Sequence, residues 1–325
     1  MNMFKVAIMG AGAIAAKMAY TINRMEEAEL YAIASRDITK AERFAKEYNV
    51  EKAYGSYEEM VKDENIDLVY VAVPHTHHYI CSKMCLEAGR NVLCEKPFCV
   101  NEAQAEELIK LAKSRSLLIT EAIWTRYMPS RKIIDNIIKD GLIGEVTSLT
   151  ANIGYELSEV ERIWKTSLAG GALMDVGIYL VHFARMIFGE SEAKITSSAY
   201  FKNGVDAVNS IIVEYEDGKT ATMQSSVVSV LNRDGNIFGT EGYIEITNIN
   251  NPEKIKVFDK NYKEVYSITV PDRITGYEYE ILACRKAIGS GLIECDEIPH
   301  RETVEVMKIM DSIRKSWGYE VPDLR

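Results

Sequence analysis

Long unbroken apolar runs are missing from these 325 residues. None reaches the roughly 18 positions a helix needs to cross a bilayer, so a membrane partner is not expected. A basic, apolar leader is missing too. Only Met1-Asn2-Met3 precedes the first strand-like run, which fits no secretory signal. Positive charge is the scarcer sign: 38 Lys and Arg against 48 Asp and Glu leave a net charge of −10. Such a surface repels a phosphate backbone, and nucleic acid is not an expected partner. A small anionic ligand is still allowed, because helix N-termini and a few local cations bind phosphate inside an acidic protein. No CxxC pair occurs. Cys81, Cys85, Cys94, Cys99, Cys284 and Cys295 lie singly, several inside apolar elements. They read as reduced, buried thiols of a cytoplasmic protein. Histidine is also sparse. His75, His77 and His78 share one loop and point different ways, whereas zinc needs about four convergent ligands, so no metal site is expected.

What is present is ordinary in composition and ordered in pattern. An apolar fraction of 47% with 26% charged residues suits a globular chain, and the length suggests two domains. The first 120 or so residues alternate short apolar strands with helices. Strands are expected at 5–9, 30–34, 67–73, 91–94 and 117–120. Thr39 is placed to cap a helix running to Tyr48, Ser56 opens a capping box, and Asn101 caps a helix to about Arg115. Short apolar strands between helices are buried on both faces, which predicts an α/β domain with a doubly wound parallel sheet over 1–121. Beyond it the pattern changes. Residues 194–270 alternate with period two, Asp217-Gly218 marks a hairpin, and two helices close the chain near 276–289 and 299–317. The remainder, 122–325, is expected to be an α+β domain with an open, largely antiparallel sheet and helices on one face.

Gly10-Ala11-Gly12-Ala13-Ile14-Ala15 follows the first strand and opens a helix. The first glycine allows a tight turn and the second lets the backbone approach a pyrophosphate at a helix N-terminus. In this context the hexapeptide reads as a Rossmann dinucleotide fingerprint. In open α/β sheets ligands bind beyond the carboxyl ends of the strands. Those ends carry Gly10 and Gly12, then Ser35-Arg36, then Pro74-His75-Thr76-His77-His78, then Glu95-Lys96-Pro97, then Glu121-Ala122. The second strand ends in Ser35-Arg36, where an NAD-selective site has an acid. Arg36 offers a fork of donors to a 2′-phosphate, so NADP is expected ahead of NAD, with Asp37 as a turn residue. Lys96 precedes Pro97 across a bond that could be cis. In the second half, Gly170-Gly171 leads into a helix expected over 172–188. Asp175 and Tyr179 are four apart on it and His182 three further, so one face would carry all three. The bland alternative is an amphipathic helix with a half-buried Tyr179.

These motifs together resemble the glucose–fructose oxidoreductase/inositol dehydrogenase (Gfo/Idh/MocA) family over nearly the whole chain. The carriers are GAGAIA, the PHTHH loop, Glu95-Lys96-Pro97 and the segment from Gly170 to His182. Tyr179 stands where many members have His. That departure, with Glu121–Pro129 and the closing Met307–Arg314, is similar to the dimeric dihydrodiol dehydrogenase and NADP-dependent D-xylose dehydrogenase branch. The resemblance implies a catalytic group of Lys96, Asp175 and Tyr179. It implies a cofactor edge of Gly10, Gly12, Ala13, Ile14, Ser35, Arg36, Pro74, His75, His78, Glu95 and Lys96. Trp124, Arg126 and Tyr179 fall to the substrate, a sugar, polyol or cyclic diol, with Trp124 stacking on it. Residues 208–215 and 220–227 alternate between two faces, one of them small and mixed polar, so a homodimer through the second sheet is expected, and dimers in the resembling branch support it. Between a hydride-transferring enzyme and an NAD(P)- and sugar-binding sensor without turnover, the retained Lys96, Asp175 and Tyr179 favour the enzyme. Free Tyr and Lys titrate near ~10 and ~10.4. A cationic Lys96 would lower the Tyr179 phenol, while Asp175 would hold Lys96 protonated. Tyr179 is therefore read as the direct acid/base, with the reverse assignment left open by the resemblance.

Overall fold

The computed structural model describes residues 3–190 and 193–323. The chain divides into two compact units. The first holds the chain up to Tyr127, together with Arg273–Met307 and Asp323. The second holds Met128–Asp272 and Lys308–Pro322.

The first unit is built on β1 (Phe4–Met9), β2 (Ala28–Ala34), β3 (Lys52–Tyr54), β4 (Leu68–Val71), β5 (Asn91–Glu95) and β6 (Ile119–Ala122). Helices α1 (Ala13–Ile22), α2 (Ile38–Tyr48), α3 (Tyr57–Met60), α4 (His78–Glu87) and α5 (Glu102–Arg115) connect them. The strands are parallel in the order β3-β2-β1-β4-β5-β6. Val6, Ala7, Ile8 and Met9 are wholly buried, as expected of strands covered by helices on both faces. The short β3 carries no clear apolar alternation and was not expected from sequence. Asn101 and Ser56 cap as expected, accepting from the Gln104 and Glu59 N–H groups. The α2 cap is Asp37, which accepts from the Thr39 N–H at 3.0 Å; Thr39 itself lies inside the helix.

The division at residue 121 expected from sequence does not describe 273–307, which belong to the first unit. The reason lies at β6, the edge strand of the sheet. Its Ile119 N–H donates to the Ile293 carbonyl at 3.1 Å, and His300 Nε2 lies 2.9 Å from the Ile119 carbonyl. The returning chain thus covers an edge that would otherwise expose unpaired backbone groups.

The second unit begins with α6 (Pro129–Lys139) and β7 (Val146–Gly154). A π-helical turn, Leu173–Gly177, runs into α7 (Ile178–Phe188). Seven strands follow: β8 (Ala193–Lys202), β9 (Val205–Tyr215), β10 (Thr220–Ser226), β11 (Gly235–Gly239), β12 (Gly242–Thr247), β13 (Lys254–Asp259) and β14 (Glu264–Thr269). Helix α8 (Glu278–Gly289), which belongs to the first unit, and α9 (His300–Ser316) close the chain. The eight strands run β14-β13-β12-β11-β7-β10-β9-β8, antiparallel except for β7 beside β10. Gly218 takes φ +85° in the turn between β9 and β10, where the Asp-Gly pair was expected to turn. One face of the sheet buries Leu149, Ala151, Ile211, Met223, Ile237 and Ile244, and α7 packs against its strands β7 and β10. Residues Thr166–Phe188, interrupted by Asp175, His182 and Arg185, are long and apolar enough on average to cross a membrane by length and composition only, and most of the stretch is buried inside the protein as a core helix.

Candidate functional site

In the first unit the strand order reverses between β1 and β4, the point where open α/β sheets leave a ligand crevice. Gly10 makes the turn out of β1 with φ +102°; a Cβ there would lie 2.6 Å from the Ala72 carbonyl oxygen. Gly12, the N-cap of α1, differs. No side chain caps this helix, and a Cβ on Gly12 would meet nothing within 4 Å. Ala13 is exposed and Ile14 half-buried beside it. A bare helix N-terminus facing open space is what a pyrophosphate needs, so a dinucleotide fits these residues. After β2, Ser35 is buried and Arg36 exposed. Beside it Asp37 caps α2 through Oδ1. His77 is held below its ordinary pKa, first by burial and then by the Arg36 charge.

The loops after β4 and β5 are tied together by His78. Its Nδ1 lies 2.7 Å from the Pro97 carbonyl and its Nε2 2.9 Å from the Val73 carbonyl. Burial pushes its pKa down to about 4, against both carbonyls, which favour the charged ring. His78 is wholly enclosed, so it braces the loops; His75 packs edge-on against it. Pro74 leads into that turn as its N-cap. The Lys96–Pro97 peptide is cis, and Lys96 is half-buried. Its N–H donates to Glu95 Oε2 at 3.1 Å, while the Tyr70 hydroxyl donates to Glu95 Oε1. Burial raises the Tyr70 phenol. Glu95 is thus an inward brace of the Lys96 turn.

Trp124 and Arg126, the other residues expected at the substrate, each have a neighbour within the first unit. Trp124 stacks on Tyr277 with centroids 4.5 Å apart, so one of its faces is covered. Arg126 is buried and pairs with Glu302 at 2.9 Å.

In the second unit, Asp175 lies in the π-turn and Tyr179 in the first turn of α7. Both are largely buried, at 4% and 9% exposure. The wider π-turn alters the simple four-residue stacking expected of an α-helix. His182 is wholly buried in the core. Two residues escaped the sequence reading. Arg162 Nη1 lies 2.8 Å from Asp175 Oδ1. Asp206 Oδ2 accepts from the Leu173 N–H at 2.8 Å and from Asn209 Nδ2 at 2.8 Å, closing the N-terminal end of the same turn. Neither had a motif to mark it; the fold alone brings them to the turn.

A sequence profile described as an oxidoreductase family with an NAD-binding Rossmann fold matches residues 4–122, and its GFO/IDH/MocA C-terminal domain matches 132–245. The chain belongs to the Gfo/Idh/MocA family. Its members include a trans-1,2-dihydrobenzene-1,2-diol dehydrogenase of Xenopus tropicalis, 36% identical over 90% of this chain and 91% of that one. The enzyme of the same name from Mus musculus is 32% identical over 97% of each. Among solved structures, an aldose-aldose oxidoreductase of Caulobacter crescentus superposes with a TM-score of 0.88 at 19% identity, covering 97% of both chains. A 3-ketoreductase of Actinomadura kijaniata, solved with NADP and TDP-benzene, gives 0.86 at 22%, over 97% of this chain and 98% of that one. This Gfo/Idh/MocA chain is accordingly an NAD(P)-dependent oxidoreductase, and its parallel sheet with a mostly antiparallel second sheet is the fold of those structures.

Proposed function

We propose that the protein moves hydride between NADP and a secondary alcohol or ketone of a sugar, polyol or cyclic vicinal diol. The observation that carries this reading is the bare N-terminus of α1 at Gly12, with Arg36 exposed after β2 and Asp37 capping α2. Similarity to dihydrodiol dehydrogenases over nine-tenths of the chain supports the diol or sugar end of the range. NAD is the second candidate cofactor. The nicotinamide supplies the hydride acceptor or donor, because no side chain can.

The rest of the chemistry is proton handling. Tyr179 Oη gives a proton to the substrate oxygen on reduction and takes it on oxidation. Bringing a phenol from ~10 to near 7 requires roughly 4 kcal/mol, at about 1.4 per unit. A cation beside the phenol would supply it, the role expected of Lys96 from the sequence. Burial of Tyr179 at 9% exposure keeps water from competing for the proton. The protein works in the cytoplasm as a homodimer.

The test is cofactor absorbance on a panel of aldoses, inositols and cyclic diols, in both directions. Turnover on at least one is expected, and Tyr179→Phe should lower it by roughly 10²–10⁴. Binding of NADP with no absorbance change across the panel would favour a sensor. A near-normal rate for Tyr179→Phe would pass the acid/base role to Lys96.

A further inference from the structure

We infer that Arg162 is a positioning residue for the proposed proton-transfer group, holding the Asp175 carboxylate in the π-turn that leads to Tyr179. This rests on the oxidoreductase reading of Tyr179 given above.

The geometry begins with backbone. Arg162 sits on a 3₁₀ turn, Glu161–Trp164, whose Ile163 is wholly buried. The Gly171 N–H donates to the Ile163 carbonyl at 2.9 Å and the Gly170 N–H to the Lys165 carbonyl at 3.1 Å. A Cβ on Gly170 would fall 2.2 Å from the Ile163 oxygen and 2.9 Å from that of Arg162. Glycine at 170 is therefore what lets the 3₁₀ turn lie directly against the entry to the helix. That approach carries Arg162 Nη1 to 2.8 Å from Asp175 Oδ1, and the Asp175 N–H closes the turn by donating to the Gly171 carbonyl at 3.2 Å.

The pair is asymmetric. The Asp175 side chain is 6% exposed and that of Arg162 47%. An ion pair with both partners in water would contribute little. Here the carboxylate is removed from water and the guanidinium supplies the compensating charge. Tyr179 is four residues further along, across the change from π to α winding at Ile178. Holding Asp175 therefore holds the start of the turn that aims the phenol. A displacement of that phenol by an ångström is enough to cost rate without costing binding.

The experiment compares wild type, Arg162→Gln, Arg162→Lys, Asp175→Asn and the Gln/Asn double variant on a substrate the panel identifies. Unfolding temperature and NADP affinity are measured alongside. Arg162→Gln is expected to fold and to bind NADP as wild type does, with KM within about twofold and kcat lower by roughly tenfold to a hundredfold. Arg162→Lys should recover most of that rate. In the Asp175→Asn background, Arg162→Gln should add little further loss. A Gln variant with wild-type kcat would overturn the proposal. So would one that unfolds, or whose losses are neither rescued by Lys nor absorbed by Asp175→Asn, since Arg162 would then serve the architecture alone. Wild type that binds NADP but turns over nothing on the panel would be a different failure. It would remove the enzyme reading itself, and this role with it.

Discussion

Gly10 and Gly12 are glycine for different reasons. At Gly10 the backbone itself forbids a side chain: φ is +102° and the Ala72 carbonyl stands 2.6 Å from where a Cβ would go. At Gly12 nothing in the protein objects. The two positions therefore separate architecture from ligand. Gly10→Ala is expected to destabilise the fold by about 1–3 kcal/mol. Gly12→Ala should leave the unfolding temperature unchanged and weaken NADP binding by tenfold or more, read by cofactor fluorescence. Under the same titration Arg36→Ala should weaken NADP while sparing NAD, because only the former has the phosphate that a guanidinium would grip. Tight NADP binding by Gly12→Ala would show that the pyrophosphate lies elsewhere. His78 belongs to the architecture: its nitrogens are taken by the Val73 and Pro97 carbonyls, and burial keeps the ring neutral with a pKa of about 4.

Among elements, the turn from Gly170 to Gly177 concentrates the constraints of the second unit. Asp206, at the start of β9, is buried and caps it through Leu173. Its other oxygen, Oδ1, has no hydrogen-bond partner among the described residues. Burial, opposed by the Leu173 and Asn209 bonds, raises this carboxyl from 3.8 to about 7. The folded state therefore holds the proton more tightly than the unfolded one between those values. Stability should fall as pH rises through that window, by up to about 1.4 kcal/mol per pH unit, and the loss should be complete above the folded pKa. Asp206→Asn can still accept the Leu173 bond but cannot ionise. Denaturant unfolding from pH 4 to 8 should show wild type losing stability relative to the Asn variant, with the curves parallel above about pH 7. Parallel curves throughout would mean that Asp206 titrates normally. The same burial acts on Glu280 of α8, whose two oxygens have no partner among the described residues and whose pKa is raised well above the usual range, with Glu95 adding to the shift.

At the scale of the whole molecule, the open question is the outward face of the eight-stranded sheet. Ile212 and Tyr200 stand 42% and 62% exposed on β9 and β8. Thr150, Thr222 and Asn236 lie in register with Ile212. A row of aromatic rings crosses the other end, where Tyr243 stacks on Phe258 at 4.7 Å and Phe238 lies 6.1 Å away. Small polar and flat aromatic side chains suit contact with a second sheet better than contact with water. Light scattering at micromolar concentration is expected to give twice the 36.6 kDa of one chain. A monomer mass would sink the proposed dimer, whatever the outcome for catalysis.

What the sequence determined by itself was whatever depends on neighbours along the chain. The alternation of apolar strands and helices, the glycine turn at Gly10, the caps at Ser56 and Asn101 and the hairpin at Gly218 follow from backbone sterics and short-range hydrogen bonds. These are set within a few residues, so they could be read before any fold was known. The short β3 was missed because its three residues, Lys52–Tyr54, carry too little pattern. The tertiary structure decided where charges end. Arg126 and Glu302 are far apart in the chain yet form a buried pair, and the stretch 273–307 returns to cover β6. Arg162 reaches Asp175 only because Gly170 lets two backbones touch. Such partners are chosen by desolvation: a charge taken from water is tolerated only beside its counterpart, and only the folded chain determines which counterpart is near.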